Sequence, residues 1–589
     1  MTDDESALLA DVTIDAPWAL VEAFSKIVRE HPRDCNRAAD LLVKQLDGLG
    51  VPVTVHAPKL YLSLPGTASV EADGKTFRAK PAAFSNAVPD GIEAPLAWAG
   101  GDTEMPLGYG PNSAALFGEG FDPVPGAPDL KGKIALYPGM LNGIKIRQLQ
   151  ALGAVAAIAV NPGQEIHWGG LNPQWGAPDL DDLADRPNFI AASINNPDGM
   201  ALKALAEAGG KARLKTTMEE GWYESKLPVV EIPGTEEPEK FVLLHGHYDA
   251  WDVGVGDNAT GNAAMLEVAR VLWKHRDKLK RSVRIAWWPG HSAGRFAGST
   301  WYSDAFAVDI HENCVAQSNC DSPGCRWATV YENIAMMPEN GPFTARAIED
   351  VTGLPSVGMR PPPANDYSFT NLGVTGYYSS ISRIPQEVRD AKGYYYVMGN
   401  GANIEWHTER DTLEVADREI LVRDIRIYLL TVFRNANARL LPLDWRIPAE
   451  EFVATIDRYR KAAGDRIDLD PARQAAVALK DALPAFYKAA ESGRIAPAEA
   501  NAALLRLSRI LVPLNYARKG HFSHDWGTHV PPLPDLAEAR HLDRYPGDAS
   551  GFAQYHLLRG RNRVVAALRE ATAVVQALTR PAARASAAE

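Results

Sequence analysis

Residues 241–302 constrain this chain more than any other stretch: FVLLHGHYDAWDVGVGDNATGNAAMLEVARVLWKHRDKLKRSVRIAWWPGHSAGRFAGSTWY. An apolar run, 241–244, ends in His247-Tyr248-Asp249, and a turn-rich loop then carries Asp257. A segment of helical pattern follows. A second apolar run, 283–288, breaks into Gly290-His291-Ser292-Ala293-Gly294. Two strands that deliver polar groups at their ends, separated by a helix, make a βαβ unit, and α/β proteins place their active sites at such strand ends. No pair of acidic residues follows the second strand.

At 589 residues the chain exceeds what one core accommodates, so about two to four domains are expected. The net charge of −12 is spread along the chain rather than gathered in a tail. That argues against nucleic acid or an anionic membrane as a partner. The opening MTDDESALLADVTIDAPW is acidic and lacks a basic segment followed by an apolar one, so no secretory signal is expected. No window holds the ~18 uninterrupted apolar residues of a membrane span. Cys35, Cys314, Cys320 and Cys325 make no disulfide framework, and the spacing C-x5-C-x4-C of the last three fits no zinc knuckle. Reduced thiols and a cytoplasmic location follow as expectations.

Texture divides the chain. Residues 18–50 carry apolar residues at helical spacing until Gly48 and Gly50, and short strands are expected around 53–64. The next stretch, 91–225, is rich in Gly, Pro and Asn, with apolar runs IALYPG, AVAAIAV and FIAASI between loops. It reads as a β-rich domain inserted into another fold. From 241 to about 440 strands alternate with helices, which predicts a largely parallel sheet. Beyond Arg446 the segments 451–463, 472–490, 497–511 and 553–583 are helical in pattern, and the tail PAARASAAE is expected to be disordered.

One set of residues has the chemistry of a metal centre: His247, Asp257, Asp321 and His407, with Asp249 two residues after the first. Zinc-type ions take imidazole and carboxylate ligands from loops at strand ends. His247 ends an apolar strand, Asp257 sits in a Gly-rich loop, and Asp321 stands in Ser-Asn-Cys-Asp-Ser-Pro-Gly. His407 stands in Glu-Trp-His-Thr-Glu-Arg-Asp-Thr. His245 shares a strand face with His247 by the period of two and reads as a buried, satisfied histidine. A rival is Gly290-x-Ser292-x-Gly294, the literal pattern of a serine-hydrolase nucleophile elbow, with Asp321 or Asp366 and then His407 completing a triad order. His521, His524 and His529 lie in a polar loop whose spacing matches no standard ligand set. Arg360 and Asp366, around a rigid Pro run, can meet a charged substrate group or form an ordinary turn.

The order HYD…GDNATG…AGST…NCDSPG…WHTERDT resembles the co-catalytic zinc aminopeptidase and glutamate carboxypeptidase superfamily, in particular the branch of glutamate carboxypeptidase II and the transferrin receptor. The resemblance covers nearly the whole chain. It implies an α/β fold with a mixed, largely parallel sheet of the zinc-exopeptidase type in a discontinuous catalytic domain, 1–90 and 226–445. A protease-associated β-rich insertion, 91–225, and a helical dimerisation domain, 446–589, complete it. In that family the first His and a later Asp hold one metal, the Asp of the Gly-rich loop bridges two, and the late His with a Glu holds the second. Carried over, these are His247, Asp321, Asp257 and His407, with Asp249 as the carboxylate that orients His247. Enzymes of the family carry Glu-Glu where this chain has His291-Ser292, and often Tyr where it has Trp406. His291 can serve as the base or as a replacement ligand.

The expected activity is hydrolysis of a peptide, amide or related C–N bond of a small substrate through metal-activated water, with one or two divalent ions, zinc by preference. His291, Asp249 and Ser292 are the catalytic candidates; His247, Asp257, Asp321, His407 and His291 are the candidate ligands. A homodimer is expected, with no nucleic-acid or membrane partner. The alternatives are a same-fold metalloenzyme of other hydrolytic or lyase chemistry, a serine hydrolase using Gly290-Ser292-Gly294, and a non-catalytic binding relative.

Overall fold

The computed structural model describes residues 1–99, 129–172, 174–527 and 530–579. Strand β1 (Thr54–His56) belongs to the site-bearing sheet. The next seven form a closed barrel: β2 (Lys59–Ala72), β3 (Lys75–Pro81), β4 (Val88–Trp98), β5 (Ile134–Pro138), β6 (Ala156–Val160), β7 (Ala191–Ile194) and β8 (Lys211–Glu224), in the order β2-β3-β7-β6-β5-β4-β8. The three apolar runs singled out above become β5, β6 and β7. Inward residues such as Val70, Leu96, Ile134, Leu136, Ile158 and Leu214 give the barrel a core of its own. Closure needs the long β2–β8 ladder, from Lys59 opposite Glu224 to Glu71 opposite Arg213. The barrel therefore takes its first two strands from 59–81, ahead of the boundary at 91 expected from texture.

The second sheet adds β9 (Leu227–Ile232), β10 (Glu237–His247), β11 (Arg281–Trp288) and β12 (Cys314–Asn319). A separate pair, β13 (Tyr331–Ala335) and β14 (Ser356–Met359), precedes its last strand, β15 (Gly376–Tyr377). Its order is β1-β9-β11-β10-β12-β15. The four strands β11, β10, β12 and β15 are parallel; β9 runs against them, and β1, antiparallel to β9, runs with them. This is the mixed, largely parallel sheet expected from the sequence. Alternation along β10 sorts the two faces. Val242 and Leu244 join the core shared with the helices Thr260–Lys274 and Arg418–Asn437, while Phe241 and Leu243 pack with Trp288, Tyr302 and Ile310. Helices on both faces cover a parallel sheet and make its central strands apolar throughout.

Helical pattern over 18–50 becomes two helices, Asp15–Phe24 and Pro32–Gly48. Pro32 cannot continue a helix from before it, and His31 caps the second helix by accepting from the Arg33 N–H. The C-terminal helices are Arg446–Ala463, Asp470–Glu491, Pro497–Tyr516 and Ala549–Thr579. Their apolar faces, through residues such as Phe452, Leu479 and Leu504, run continuously into the core of the site-bearing sheet. The tail PAARASAAE lies outside the described residues. No helix among the described residues is long and apolar enough to cross a membrane.

Candidate metal centre

Three parallel strands end together. β10 runs out at His247, β11 leads through Pro289-Gly290 to His291, and β12 leads through Cys320 to Asp321. The loop after β10 returns Asp257 to the same point. His247 Nε2 stands 3.0 Å from Asp257 Oδ1 and 3.8 Å from Asp321 Oδ2. The ligand atoms of His247, Asp257 and Asp321 all lie within 4.8 Å of one another, and all three residues are buried. The other oxygen of Asp257 is 3.0 Å from His407 Nε2.

This donor set fits a divalent ion. His247 Nε2 and Asp257 Oδ1, although close, make no directed hydrogen bond with each other or with any other group among the described residues. Buried polar atoms are rarely left so, and a cation between them would satisfy both. The charge agrees. Burial would depress His247, but Asp257, Asp321 and Asp249 together push its ring up to about 10. Burial likewise raises Asp321, and the neighbouring Asp257 carboxylate adds to it. The cluster is short of positive charge, and an imidazole, two carboxylates and a borderline ion are chemically matched.

The surroundings fix the ligands. His247 Nδ1 donates to the backbone carbonyl of Asp249 at 2.8 Å, while the Asp249 carboxylate is 3.9 Å away. Orientation of His247 thus comes from the Asp249 main chain, which corrects the carboxylate role expected from the resemblance. The Asp249 carboxylate instead accepts the N–H groups of His291 (3.0 Å) and Ser292 (2.9 Å) and holds the loop after β11. The Asp257 loop is held by Asp411, whose two oxygens accept the N–H groups of Gly256 at 2.7 Å and Asp257 at 3.0 Å. Burial pushes the Asp411 carboxyl up to about 7 against those two hydrogen bonds.

His291 stacks on His247, ring centroids 3.8 Å apart and planes 14° apart. Its Nδ1 lies 2.7 Å from the fully buried Asp366, which also accepts from Ser299 Oγ at 2.7 Å. Burial would raise the Asp366 carboxyl, but His291 beside it holds it below its ordinary value. With Nδ1–H donated to Asp366, the free lone pair of a neutral His291 is on Nε2. His291 is not part of the three-residue ligand cluster. Asp366 therefore meets His291 rather than a substrate group. Arg360 turns the other way and donates to the carbonyls of Asn515 and Val530 in the helical region.

Other candidates separate. His245 is buried against Gln317, 3.1 Å from its Oε1, and burial lowers it to about 4. His524 pairs with Asp304 at 2.7 Å, His521 packs edge-on against His311, and His529 lies outside the described residues. The serine triad is not assembled. Both ring nitrogens of His407 are engaged, Nε2 by Asp257 and Nδ1 by the Trp168 carbonyl at 3.1 Å. The next helix begins at Ala297 rather than at Ser292. Trp406 stacks on His407 at 3.6 Å.

Asp366, Asp411 and the barrel residues His167 and Trp168 were not identified as support for the site from sequence. Asp366 was singled out in other roles, and Asp411 carried a signal in its place four residues after His407. The centre opens into a cavity of about 200 Å³ walled by the barrel, the sheet and Gly527 of the C-terminal region.

Residues 229–431 match the model of peptidase family M28. A 97-residue stretch is 37% identical to the probable glutamate carboxypeptidase VP8 of Zea mays, covering 15% of this chain and 13% of that protein. A 190-residue stretch is 28% identical to carboxypeptidase Q of Xenopus laevis, covering 30% of this chain and 39% of that protein. The chain thus spans well under half the length of these curated relatives. The structure of BSAP, a zinc aminopeptidase from Bacillus subtilis, superposes with a TM-score of 0.53 at 19% identity, over 74% of this chain and 98% of that one. That likeness establishes the fold.

Proposed function

Because the chain is a member of peptidase family M28, we propose that it is a metal-dependent hydrolase of a C–N bond in a small peptide or amide, with His247, Asp257 and Asp321 holding a divalent ion, zinc by ligand type. The observation that carries the reading is the buried convergence of His247 Nε2, Asp257 Oδ1 and Asp321 Oδ2 at the ends of parallel strands. His407 and Asp257 Oδ2 begin a second site. Among the described residues it has no third ligand in the gathered cluster. The reading is therefore one tightly held ion and a second, weaker one. An ion so placed supplies Lewis acidity toward a carbonyl and toward water.

The chain's own residues supply the rest. His291, oriented by Asp366, takes a proton at Nε2, the role an acidic residue fills in the family. Its position outside the ligand cluster favours base over ligand. Asp249 keeps that loop in place, and Ser292 lines the cavity with no basic hydrogen-bond partner for its hydroxyl among the described residues. We also read the protein as a homodimer through its helical region, where Phe552 and Tyr555 are 77% and 64% exposed on one helix.

The test is metal content after dialysis and reloading with zinc. Asp257→Ala is expected to lose nearly all bound zinc, and His291→Ala to keep it while losing turnover of a peptide library. Full zinc in Asp257→Ala would sink the assignment, and loss of zinc from His291→Ala would make His291 a ligand.

A further inference from the structure

A single buried ammonium connects the barrel to both loops of the metal centre. Lys80, near the end of β3, is 2% exposed, and a lysine is almost never so buried without a pair. Its Nζ stands 2.8 Å from Glu409 Oε2 and 4.6 Å from the centre of the Trp168 ring. Glu409 follows His407 by two residues. Trp168 donates its indole N–H to Asp252 at 3.0 Å, in the loop that leads to Asp257. An ammonium over an indole face is itself attractive, so one cation touches the supports of both segments.

Lys80 is not free to follow the loops. It lies opposite Ser193 in the β3–β7 ladder, in a barrel with a core of its own. Arg78, two residues earlier on the same strand face, pairs with the other oxygen of Glu409. Desolvation offsets most of the attraction in a buried ion pair, so Lys80 adds little net stability to the docking. Its geometric effect is specific. It holds Glu409 on one side of His407, and on the other it steadies Trp168, whose N–H and C=O both hydrogen-bond His407, at 2.9 and 3.1 Å. Asp257 has a second hold that owes nothing to the barrel, the two Asp411 hydrogen bonds. His247 and Asp321 come from strand ends of the sheet. Of the four ligand residues, His407 is therefore the one whose place depends most on Lys80. The weaker ion, with only His407 and Asp257 Oδ2 assigned to it, has no redundancy to absorb a shift.

We propose that Lys80 is a positioning residue for the weaker ion, and that the docked barrel decides through it whether that ion is held. The insertion then regulates the site: docked, the centre loads two ions, and loosened, one. By reciprocity, loading the weaker site tightens the docking by the same factor. This rests on the metal reading above and adds the element that governs its second ion.

The test is a zinc titration of the metal-stripped full chain in competition with a chromophoric chelator, which resolves a tight and a weak dissociation constant. Loss of a ligand's support typically costs about 10–100-fold in metal affinity, so Lys80→Met is expected to raise the weak constant by about tenfold or more and the tight one by less than about threefold. Lys80→Arg keeps a cation for Glu409 and should restore most of the loss. A merely structural lysine would lower stability toward urea and leave the ratio of the two constants at its parental value, and that result overturns the proposal while the metal centre stands. A parent that binds a single ion overturns the second-ion reading and the proposal with it, and leaves the tight site intact. A parent that binds none overturns the whole metal reading as well. Should Lys80→Met not fold, Glu409→Gln, at a partly exposed residue, decides by the same ratio.

Discussion

Asp411 offers the sharpest test of how the metal centre is built. It touches no proposed ligand side chain, yet both its oxygens accept backbone N–H groups of the loop that carries Asp257, at 2.7 and 3.0 Å. Asp411 is 1% exposed, so Asp411→Ala leaves two buried amides without acceptors. At about 1–3 kcal/mol for each orphaned donor, the variant is expected to lose about 2–6 kcal/mol of stability. The Asp257 loop is then free to move, and loss of such support typically weakens a metal site by about 10–100-fold. Asp411→Asn keeps one acceptor and turns an N–H donor toward the other amide, so it should fall between Ala and the parent. Urea unfolding with zinc removed measures the first effect. Competition for zinc with a chromophoric chelator measures the second. An Asp411→Ala protein with parental zinc affinity would refute the reasoning, even if it were less stable. The two hydrogen bonds would then support the fold and not the site.

The fully buried acid Glu339 gives a pH-dependent stability. Burial, helped by Glu451 and opposed by Thr375 and Arg360, raises its carboxyl from 4.5 to about 7. The folded state therefore binds this proton more tightly: nothing is lost below the ordinary value, and stability falls as pH rises from there through about 7. At 1.36 kcal/mol per pH unit the full penalty is about 3 kcal/mol, so Glu339→Gln should gain up to about that much on the parent at pH 8 and little at pH 5. Parallel unfolding curves at both pH values would contradict this. For assembly, light scattering at micromolar concentration should give twice 64.0 kDa, and a monomer would refute the homodimer.

The apolar runs at 241–244 and 283–288 were legible as strands because they are short, bounded by turn-forming residues and end in polar groups, as central parallel strands do. His247, Asp257, Asp321 and His407 were legible as a set because ligand chemistry restricts residue type and strand ends restrict position. What escaped was mostly contact between remote segments. Asp366 meets His291 across 75 positions of sequence, and no local pattern marks a carboxylate as the partner of a particular imidazole. Apolar pattern marks short strands around 53–64 but not the sheet they join, so 59–81 reads as part of the catalytic segment 1–90 although β2 and β3 close the barrel. The break at 25–31 was different. Pro32 signals it plainly, and apolar spacing on both sides hid it.

The second histidine ties these observations together. His407 has φ of +59°, a left-handed conformation that costs a non-glycine residue about 1–2 kcal/mol. A residue keeps such a backbone only where its surroundings over-determine it. Here they do, and they come from the barrel. The Trp168 N–H donates to the His407 carbonyl at 2.9 Å, and His407 Nδ1 donates back to the Trp168 carbonyl. His167 contacts the Trp406 carbonyl at 2.7 Å. Trp168 is fixed in turn by stacking on Trp251 and by its indole N–H to Asp252, both in the loop that leads from β10 to Asp257. The insertion thus joins the segments carrying Asp257 and His407, so it is part of the scaffold of the metal centre as well as a wall of its cavity. That explains why a barrel with a complete core of its own remains docked by main-chain hydrogen bonds: through Ser63 to Ala293, through Trp168 to His407, and just beyond through Gly176 to Arg295.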